Sequence, residues 1–329
     1  MDKYYKDKNV LITGGLGFLG SNLAHRLIET GAKITILDNL DPRYGGNLFN
    51  IDSIQNDVCL IIKDVREENT LIPLVEKADY IFHFAAQVSY IDSLSNPIED
   101  LDLNGRSPLL LLELCKKYNN KVKIIFPSSR MVIGSNAGKL FNEDVHVNPI
   151  SLYGLHKYLT EKYFEIYYRE YELNYTVYRI MNPYGPRQQV KHSKYSLVGW
   201  FIRQAMENKT IKIFGDGNQT RNYIYIDDII DGIFKCSSQK ESNGQIINLG
   251  TGTSTSFVDM VRTVINVVGL GDIKFVPWPE NYEKMETGSC VPDISKLKRI
   301  SGFTTKVNLE EGVTKTHEYF LKYYKKYFI

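Results

Sequence analysis

Three side chains in this sequence can together move a proton and steady an oxygen: Ser129, Tyr153 and Lys157. Tyr153 and Lys157 belong to "YGLHK", residues 153–157, inside "SLYGLHKYLTEKYF". A spacing of four puts both on one face of a helix. Taken alone, the pair reads as an exposed polar pair on a surface helix, or as a phenol held close to its phenolate by an ammonium group. Such a spacing is common by chance, so position has to decide. Free tyrosine titrates at about pH 10 and is a poor base near neutrality. A neighbouring cation favours its phenolate, and a base poised near the operating pH is more effective. Ser129 closes the apolar stretch "KVKIIFPSS", 24 residues before Tyr153.

The elements that must position this trio begin near the N-terminus. "NVLITGGLGFLGSNLAHRLIETG" is a short apolar strand, a glycine-rich turn and a helical pattern starting near Leu19. Gly14, Gly17 and Gly20 are spaced G-x-x-G-x-x-G, not the commoner G-x-G-x-x-G. Glycines permit a tight turn and let backbone approach a pyrophosphate. The helix start offers free N–H groups and a positive dipole end. A plain strand-to-helix turn would look similar in isolation. The next strand, "KITILDN", ends at Asp38, 18 residues after Gly20. An acidic group there accepts ribose hydroxyls and repels a 2′-phosphate, which favours NAD over NADP.

Further strands are "CLIIKDV", ending in Asp64-Val65, then "YIFHFAAQ" and "KVKIIFPSS", with a helix around 97–118 between the last two. Continuously apolar strands alternating with helices predict an α/β fold: a doubly wound parallel Rossmann sheet covered on both faces. A smaller C-terminal α/β domain is expected to bind substrate. Phe84, Ala85 and Ala86 lie at a strand's carboxyl end, where such sheets bind ligands. Ser128 and Ser129 are both expected to point into that crevice, although turn formation alone would account for them.

Bulk properties agree. With 329 residues the chain exceeds the size at which single cores stop growing, so two subdomains or one large α/β unit are expected. Hydrophobic residues at 43% and charged residues at 24% are globular rather than disordered values. A net charge of +2 argues against nucleic acid as the main partner. Cys59, Cys115, Cys236 and Cys290 are far apart, with neither zinc spacing nor a disulfide framework. They read as buried thiols in a reducing, cytoplasmic compartment. "MDKYYKDKNVLITGG" predicts no signal peptide, and no apolar run predicts a membrane span. The C-terminal "YFLKYYKKYFI" reads as the end of a packed helix rather than a membrane contact.

At this point the chain resembles the extended short-chain dehydrogenase/reductases, specifically the NAD-dependent nucleotide-sugar epimerases and dehydratases. The resemblance is carried by "TGGLGFLG", "LDN" at Asp38, "DV" at Asp64, "HFAAQ" at 83–87, Ser129 and Tyr153-x-x-x-Lys157. It continues through "RIMNPYGPRQ" at 179–188, "FGDGNQTRNYIYIDDI" at 214–229 and "NLGTG" at 248–252, covering nearly the whole chain in order. It implies that Gly14, Gly17, Phe18, Leu19 and Gly20 hold the NAD pyrophosphate. Asp38 and Asn39 would take the adenosine ribose, Asp64 and Val65 the adenine, and Phe84, Ala85 and Ala86 the cofactor's floor. Lys157 would bond the nicotinamide ribose and lower the pKa of Tyr153, the acid/base. Ser129 would bond the sugar hydroxyl under attack. Asn182 and Arg221 would bind the substrate diphosphate. An ion pair of Arg221 with Asp227 or Asp228 is the bland alternative.

Gln87 and Ser89 are expected near the sugar, with Ser93 weaker and suited to helix capping. Lys191, His192 and Trp200 fall in the segment resembling a nucleotide cover, although His192 reads more safely as an exposed loop side chain. Ser128, Arg130 and Arg187 complete the expected substrate set. No metal site is expected. Three positions depart from the family. Ile133 stands where a Tyr is frequent. Arg130 and Met131 replace the Asp-Glu pair of 4,6-dehydratases, which disfavours water elimination. "EKMETGSC", with Lys284, Glu286 and Ser289, lacks an expected Arg.

The resemblance implies an NAD-binding unit, 1–182 plus 223–250, and a nucleotide-sugar unit, 183–222 plus 251–329. Helices 97–118 and 152–172 carry apolar residues beyond one stripe, which suggests a homodimer formed through them. The expected function is nucleotide-sugar 4-epimerisation through a transient 4-keto sugar, in polysaccharide biosynthesis. The alternative is a 4-dehydrogenase or 4-ketoreductase that releases its product. A non-catalytic NAD-sensing scaffold fits poorly with all three of Ser129, Tyr153 and Lys157 present.

Overall fold

Seven strands form the central sheet: β1 (Asn9–Thr13), β2 (Lys33–Asp38), β3 (Val58–Ile62), β4 (Tyr80–His83), β5 (Lys123–Ser129), β6 (Tyr175–Ile180) and β7 (Gln245–Leu249). In this computed structural model, residues 4–135, 140–195, 197–279 and 286–328 are described. Lys284 falls outside them. The strand order is β7-β6-β5-β4-β1-β2-β3, and every neighbouring pair is parallel. The order reverses between β1 and β4, which opens a crevice at their carboxyl ends.

Burial explains why the strands lack apolar alternation. All six residues of β6 are buried, as are all but the first residue of β1, because helices cover both faces. One side packs α1 (Phe18–Ile28) through Leu23 and Leu27, together with Ile229, Ile230 and Ile233. The other packs α2 (Glu68–Lys77), α3 (Ser107–Tyr118) and α4 (Leu152–Tyr171) through Leu71, Val75, Leu111, Leu112 and Phe164. Edge strand β3 departs from the pattern. Cys59 on it is exposed, so only three of the four free thiols are buried. An edge strand lacks a neighbour on one side, and here a side chain is left uncovered.

The expected helix 97–118 is one run with a wide turn inside it. Pro97–Leu101 is α-helical, Asp102–Arg106 is π-helical, and α3 follows. Such bulges recur beside functional sites. Past β6 the chain builds small sheets outside the central one. Asn182–Tyr184 pairs with Tyr223–Tyr225, and Thr210–Phe214 with Asp272–Val276. It then returns to add β7 beside β6. The C-terminal aromatics turn inward: Phe320, Tyr327 and Phe328 are buried, and the Tyr327 hydroxyl donates to Asn50 at 2.5 Å. Among the described residues no helix is long and apolar enough to cross a membrane.

Candidate active site

A cavity of about 720 Å³ runs along the carboxyl ends of the strands, within the range of small-molecule sites. Gly14, Gly17, Phe18, Leu19 and Gly20 form one end of its wall. Gly14 has φ +71°, and a Cβ there would lie 2.6 Å from the Ala85 nitrogen. The β1 turn and the "FAA" segment after β4 therefore touch backbone to backbone, and Phe84, Ala85 and Ala86 line the cavity beside it. Gly17 caps α1 without a side-chain hydrogen bond, and the first turn holds no acidic residue. Its N–H groups and positive dipole end thus face the cavity, an arrangement that fits a pyrophosphate.

Asp38 ends β2 against this turn. Its Oδ2 accepts from the Leu16 N–H at 2.9 Å and its Oδ1 from the Leu40 N–H at 2.8 Å. Burial raises its pKa, and the two backbone bonds pull the other way. A carboxylate has about four acceptor positions, so room remains for a ribose hydroxyl. Asn39 and Val65 line the cavity, whereas Asp64 does not. Arg66 grips the Asp64 carboxylate through Nε at 2.8 Å and Nη2 at 2.7 Å, and holds its pKa down to about 2. These groups fit NAD: an open helix end for its phosphates and an acidic residue at the second strand for its ribose.

The trio meets in the middle of the cavity. Ser129 is the last residue of β5, and its Oγ accepts from the Met131 N–H at 3.2 Å, capping the short turn Arg130–Val132. Tyr153 lies in the first turn of α4, whose start is capped by the Ser151 Oγ accepting from Gly154 N–H at 3.1 Å. Ser129 and Tyr153 line the same stretch of wall. Burial pushes the Tyr153 phenol up to about 12; the neighbouring Ser129 hydroxyl opposes this and the Asp100 charge adds to it. Lys157 sits one turn on, 2% exposed. Its Nζ donates to the Pro127 carbonyl at 3.2 Å and lies 4.5 Å over the Phe126 ring. Burial brings Lys157 down to about 8, against the pull of Asp100 and Glu161. With one N–H used on Pro127, the ammonium keeps donors for a cofactor ribose.

Ser128 turns the other way. Neighbouring residues on a strand face opposite sides, and its Oγ donates to Glu161 at 2.5 Å. Glu161 is fully buried and pairs with Arg179 at 2.8 Å. Ser128 borders the cavity, and its hydroxyl is engaged by this buried pair.

Behind Tyr153 lies a second network that no sequence motif marked. Asp100 Oδ2 meets His156 Nδ1 at 2.5 Å, and Asp100 Oδ1 accepts from Asn104 at 2.9 Å. The Asn104 amide also donates to the Gln87 carbonyl at 2.9 Å, and the Asn104 carbonyl accepts from Thr160 at 2.5 Å. The four-residue spacings Asp100/Asn104 and His156/Thr160, on two helices that pack together, were the available signal. Gln87 and Ser89 belong to this interior and do not line the cavity. The Gln87 amide bonds the Ser89 backbone, and the Ser89 hydroxyl caps the helix Tyr90–Ser95. Ser89, rather than Ser93, is thus the cap, because it is the residue with extended backbone before the first turn.

Arg130, next to Ser129, lines the cavity together with Asn182, Trp200, Arg221, Glu286 and Thr287. Arg221 donates to the Thr220 and Gly288 carbonyls at 2.9 and 2.8 Å and pairs with Glu286. Its acidic partner is therefore neither Asp227 nor Asp228; the Asp228 carboxylate accepts from the Lys306 and Val307 N–H groups. Arg187 lies off the cavity, donating to Asn22 at 2.8 Å and to the Asn50 carbonyl at 3.2 Å. Ile133 is packed in the core. Lys191 is exposed, and His192 is partly buried, bonded to Gln189.

Residues 10–250 match the NAD dependent epimerase/dehydratase family. A putative UDP-glucose 4-epimerase of Methanocaldococcus jannaschii is 32% identical over 92% of this chain and 95% of its own. UDP-glucuronic acid decarboxylase 1 of Xenopus tropicalis is 31% identical over 96% of this chain and 72% of its own. The crystal structure of UDP-glucose 4-epimerase from Thermotoga maritima with UDP-glucose superposes with a TM-score of 0.88 at 32% identity, over 96% of this chain and 99% of that one. A glycine turn, a buried Tyr–Lys pair and a seven-stranded parallel sheet thus stand together in a chain that belongs to the NAD-dependent epimerase/dehydratase family of nucleotide-sugar enzymes, with NAD as its cofactor.

Proposed function

We propose that this enzyme is a nucleotide-sugar 4-epimerase. The observation that carries the reading is the meeting of Ser129, Tyr153 and Lys157 on one cavity, with the nucleotide-binding turn opening into it. Ser129 holds the sugar's 4-oxygen. Tyr153 takes the proton from that oxygen and later returns it. Bound NAD supplies a hydride acceptor that can give the hydride back. Lys157 favours the phenolate by its charge and bonds the cofactor ribose. The 4-keto sugar turns over before reduction, so C4 is inverted and nothing is consumed. Dehydration would require an acid or base beside Ser129. Arg130 occupies that place, and a guanidinium neither gives up nor takes a proton under these conditions.

Three further assignments accompany this reading. Asn182 and Arg221 take the substrate diphosphate, with Trp200 near the nucleotide; Arg221 offers a planar donor fork for phosphate oxygens. The chain divides into a cofactor unit, 1–182 plus 223–250, and a substrate unit, 183–222 plus 251–329. A homodimer forms through helices 97–118 and 152–172, which leave Ile98, Leu101, Leu155 and Ile166 exposed; light scattering in solution tests it.

The function is tested with NAD-loaded protein and UDP-glucose, UDP-galactose, their N-acetyl forms, and GDP-, CDP- and dTDP-hexoses. NMR should show the C4 epimer with no accumulation of NADH. Stoichiometric NADH with a released keto sugar would make it a dehydrogenase. No conversion of any of these sugars, or of their uronates, would overturn the reading.

A further inference from the structure

We propose that the sugar taken by this enzyme carries a carboxylate, and that Arg130 holds it at the reaction end of the cavity. The inference rests on the nucleotide-sugar reading above and adds the class of sugar.

Arg130 directly follows Ser129 and opens the short turn that Ser129 caps. Its guanidinium is therefore tied to the reacting end of the cavity. Two neutral groups fix it: Nε donates to Asn182 Oδ1 at 3.1 Å and Nη1 to Thr287 Oγ1 at 2.6 Å. Neither offsets its charge. No carboxylate lies within ion-pair distance of Arg130 among the described residues, and Nη2 donates to none of them. Burial and the Arg221 charge both work against the Arg130 cation, and Glu286, which is paired with Arg221, offsets them only in part. Arg221 differs because Glu286 already meets it. Among the described residues, Arg221 is paired with an acid and Arg130 is not.

Arg130 is half-buried, and a cation partly withdrawn from water is favoured by an anionic partner. A neutral hexose would leave Arg130 without one throughout the reaction. A carboxylate on the sugar supplies it. The carboxylate matches an edge of the planar guanidinium, whose Nη2 donates to no described residue. The two neutral bonds hold that edge in place, which favours a planar anion over a mobile one. A substrate diphosphate is the competing anion, and it is the one the test must separate.

The test is calorimetric titration of NAD-loaded protein with UDP-glucuronic acid, UDP-galacturonic acid, UDP-glucose and UDP. The uronates should bind about tenfold or more tighter than UDP-glucose. Arg130→Met should bring the uronates down to the level of UDP-glucose while UDP affinity changes less than about twofold. Arg130→Lys, which keeps charge but loses the fork, should fall between. Equal affinity of wild-type protein for UDP-glucose and the uronates overturns the proposal, and that comparison needs no variant. A parallel loss of UDP binding in Arg130→Met also overturns it, because the guanidinium then serves the diphosphate. The two readings fail separately. Epimerisation of neutral sugars without uronate preference sinks only this proposal. A uronate preference without C4 inversion sinks only the epimerase.

Discussion

Gly154 approaches Met131 so closely that a Cβ on it would lie 2.4 Å from the Met131 carbonyl oxygen. This contact seats the first turn of α4 on the turn that carries Ser129. Alanine is the better helix former by about 1 kcal/mol, so Gly154→Ala would ordinarily help. Here it must push the helix start away from β5 and part Tyr153 from Ser129. We expect kcat to fall about 100-fold, the scale of a misplaced reacting group, with NAD affinity nearly unchanged. Equilibrium NAD binding beside steady-state rates checks both.

Tyr153→Phe removes the proton carrier and leaves the ring. The expected loss in kcat is about 10²–10⁴-fold, with NAD still bound. The pH profile is the sharper readout. With the Tyr153 phenol pushed up to about 12 in the cofactor-free protein, the reactive phenolate is a minor form at neutrality, and activity should rise with pH. Removing a cation raises the pKa of a neighbouring phenol. Lys157→Met should therefore move the rising limb to higher pH, and a shift to lower pH would contradict the assigned role.

Lys157 also makes the NAD-free protein less stable. Its pKa falls from 10.5 to about 8 on folding. Below pH 8 the folded state carries a buried ammonium at full cost. As pH rises from about 8 to 10.5, the folded state binds fewer protons than the unfolded one, so this contribution improves. Above pH 10 the raised Tyr153 pKa works in the opposite sense. Lys157→Met should thus stabilise the NAD-free protein at pH 7, by on the order of 3 kcal/mol at most. Thermal melts of both proteins at pH 7 and pH 9.5 should show the gap narrowing.

The Arg221–Glu286 pair stands where a diphosphate is proposed to bind. A substrate phosphate must displace or share that carboxylate. Glu286→Gln should leave Arg221 freer and tighten UDP binding several-fold. Arg221→Ala should weaken it by about 1.5–3 kcal/mol, the size of a charged hydrogen bond. Titration calorimetry with UDP distinguishes the two directions.

Arg179 and Glu161 are buried together, 3% and 0% exposed at the side chain. Arg179→Met leaves Glu161 and the Ser128 hydroxyl without their cation. We expect a loss of about 3–5 kcal/mol, read as a lower midpoint in urea.

The glycine turn, Asp38 and the Tyr–Lys spacing were legible in the sequence because their chemistry depends on local backbone geometry. Gly14, Asp38 and Tyr153 each sit at the end of a strand or the start of a helix, and such ends are written in short motifs. Ser128, Gln87 and Arg187 were harder to place. Ser128 shares a motif with Ser129 but faces the opposite side of β5, and only register decides which hydroxyl meets the cavity. Gln87 and Ser89 bond each other's backbone, which depends on a tight bend after β4. The acidic partner of Arg221 is 65 residues away at Glu286, beyond any local pattern. Asp100 and His156 meet because two helices pack side by side, so no contiguous stretch announces them.

The late return of β7 to the central sheet has a consequence for synthesis on the ribosome. Strand β6 is flanked by β5 on one side, but its other edge waits until residues 245–249 have been made. Until then the nascent chain presents an uncovered strand edge rich in Tyr, Val and Ile, a template for pairing with other chains. Both Tyr153 and the sheet that carries Ser129 are already present at that stage. A fragment ending at residue 182 would hold nearly all the cofactor-binding groups and still be prone to aggregate, so this enzyme should resist being shortened to its nucleotide-binding part.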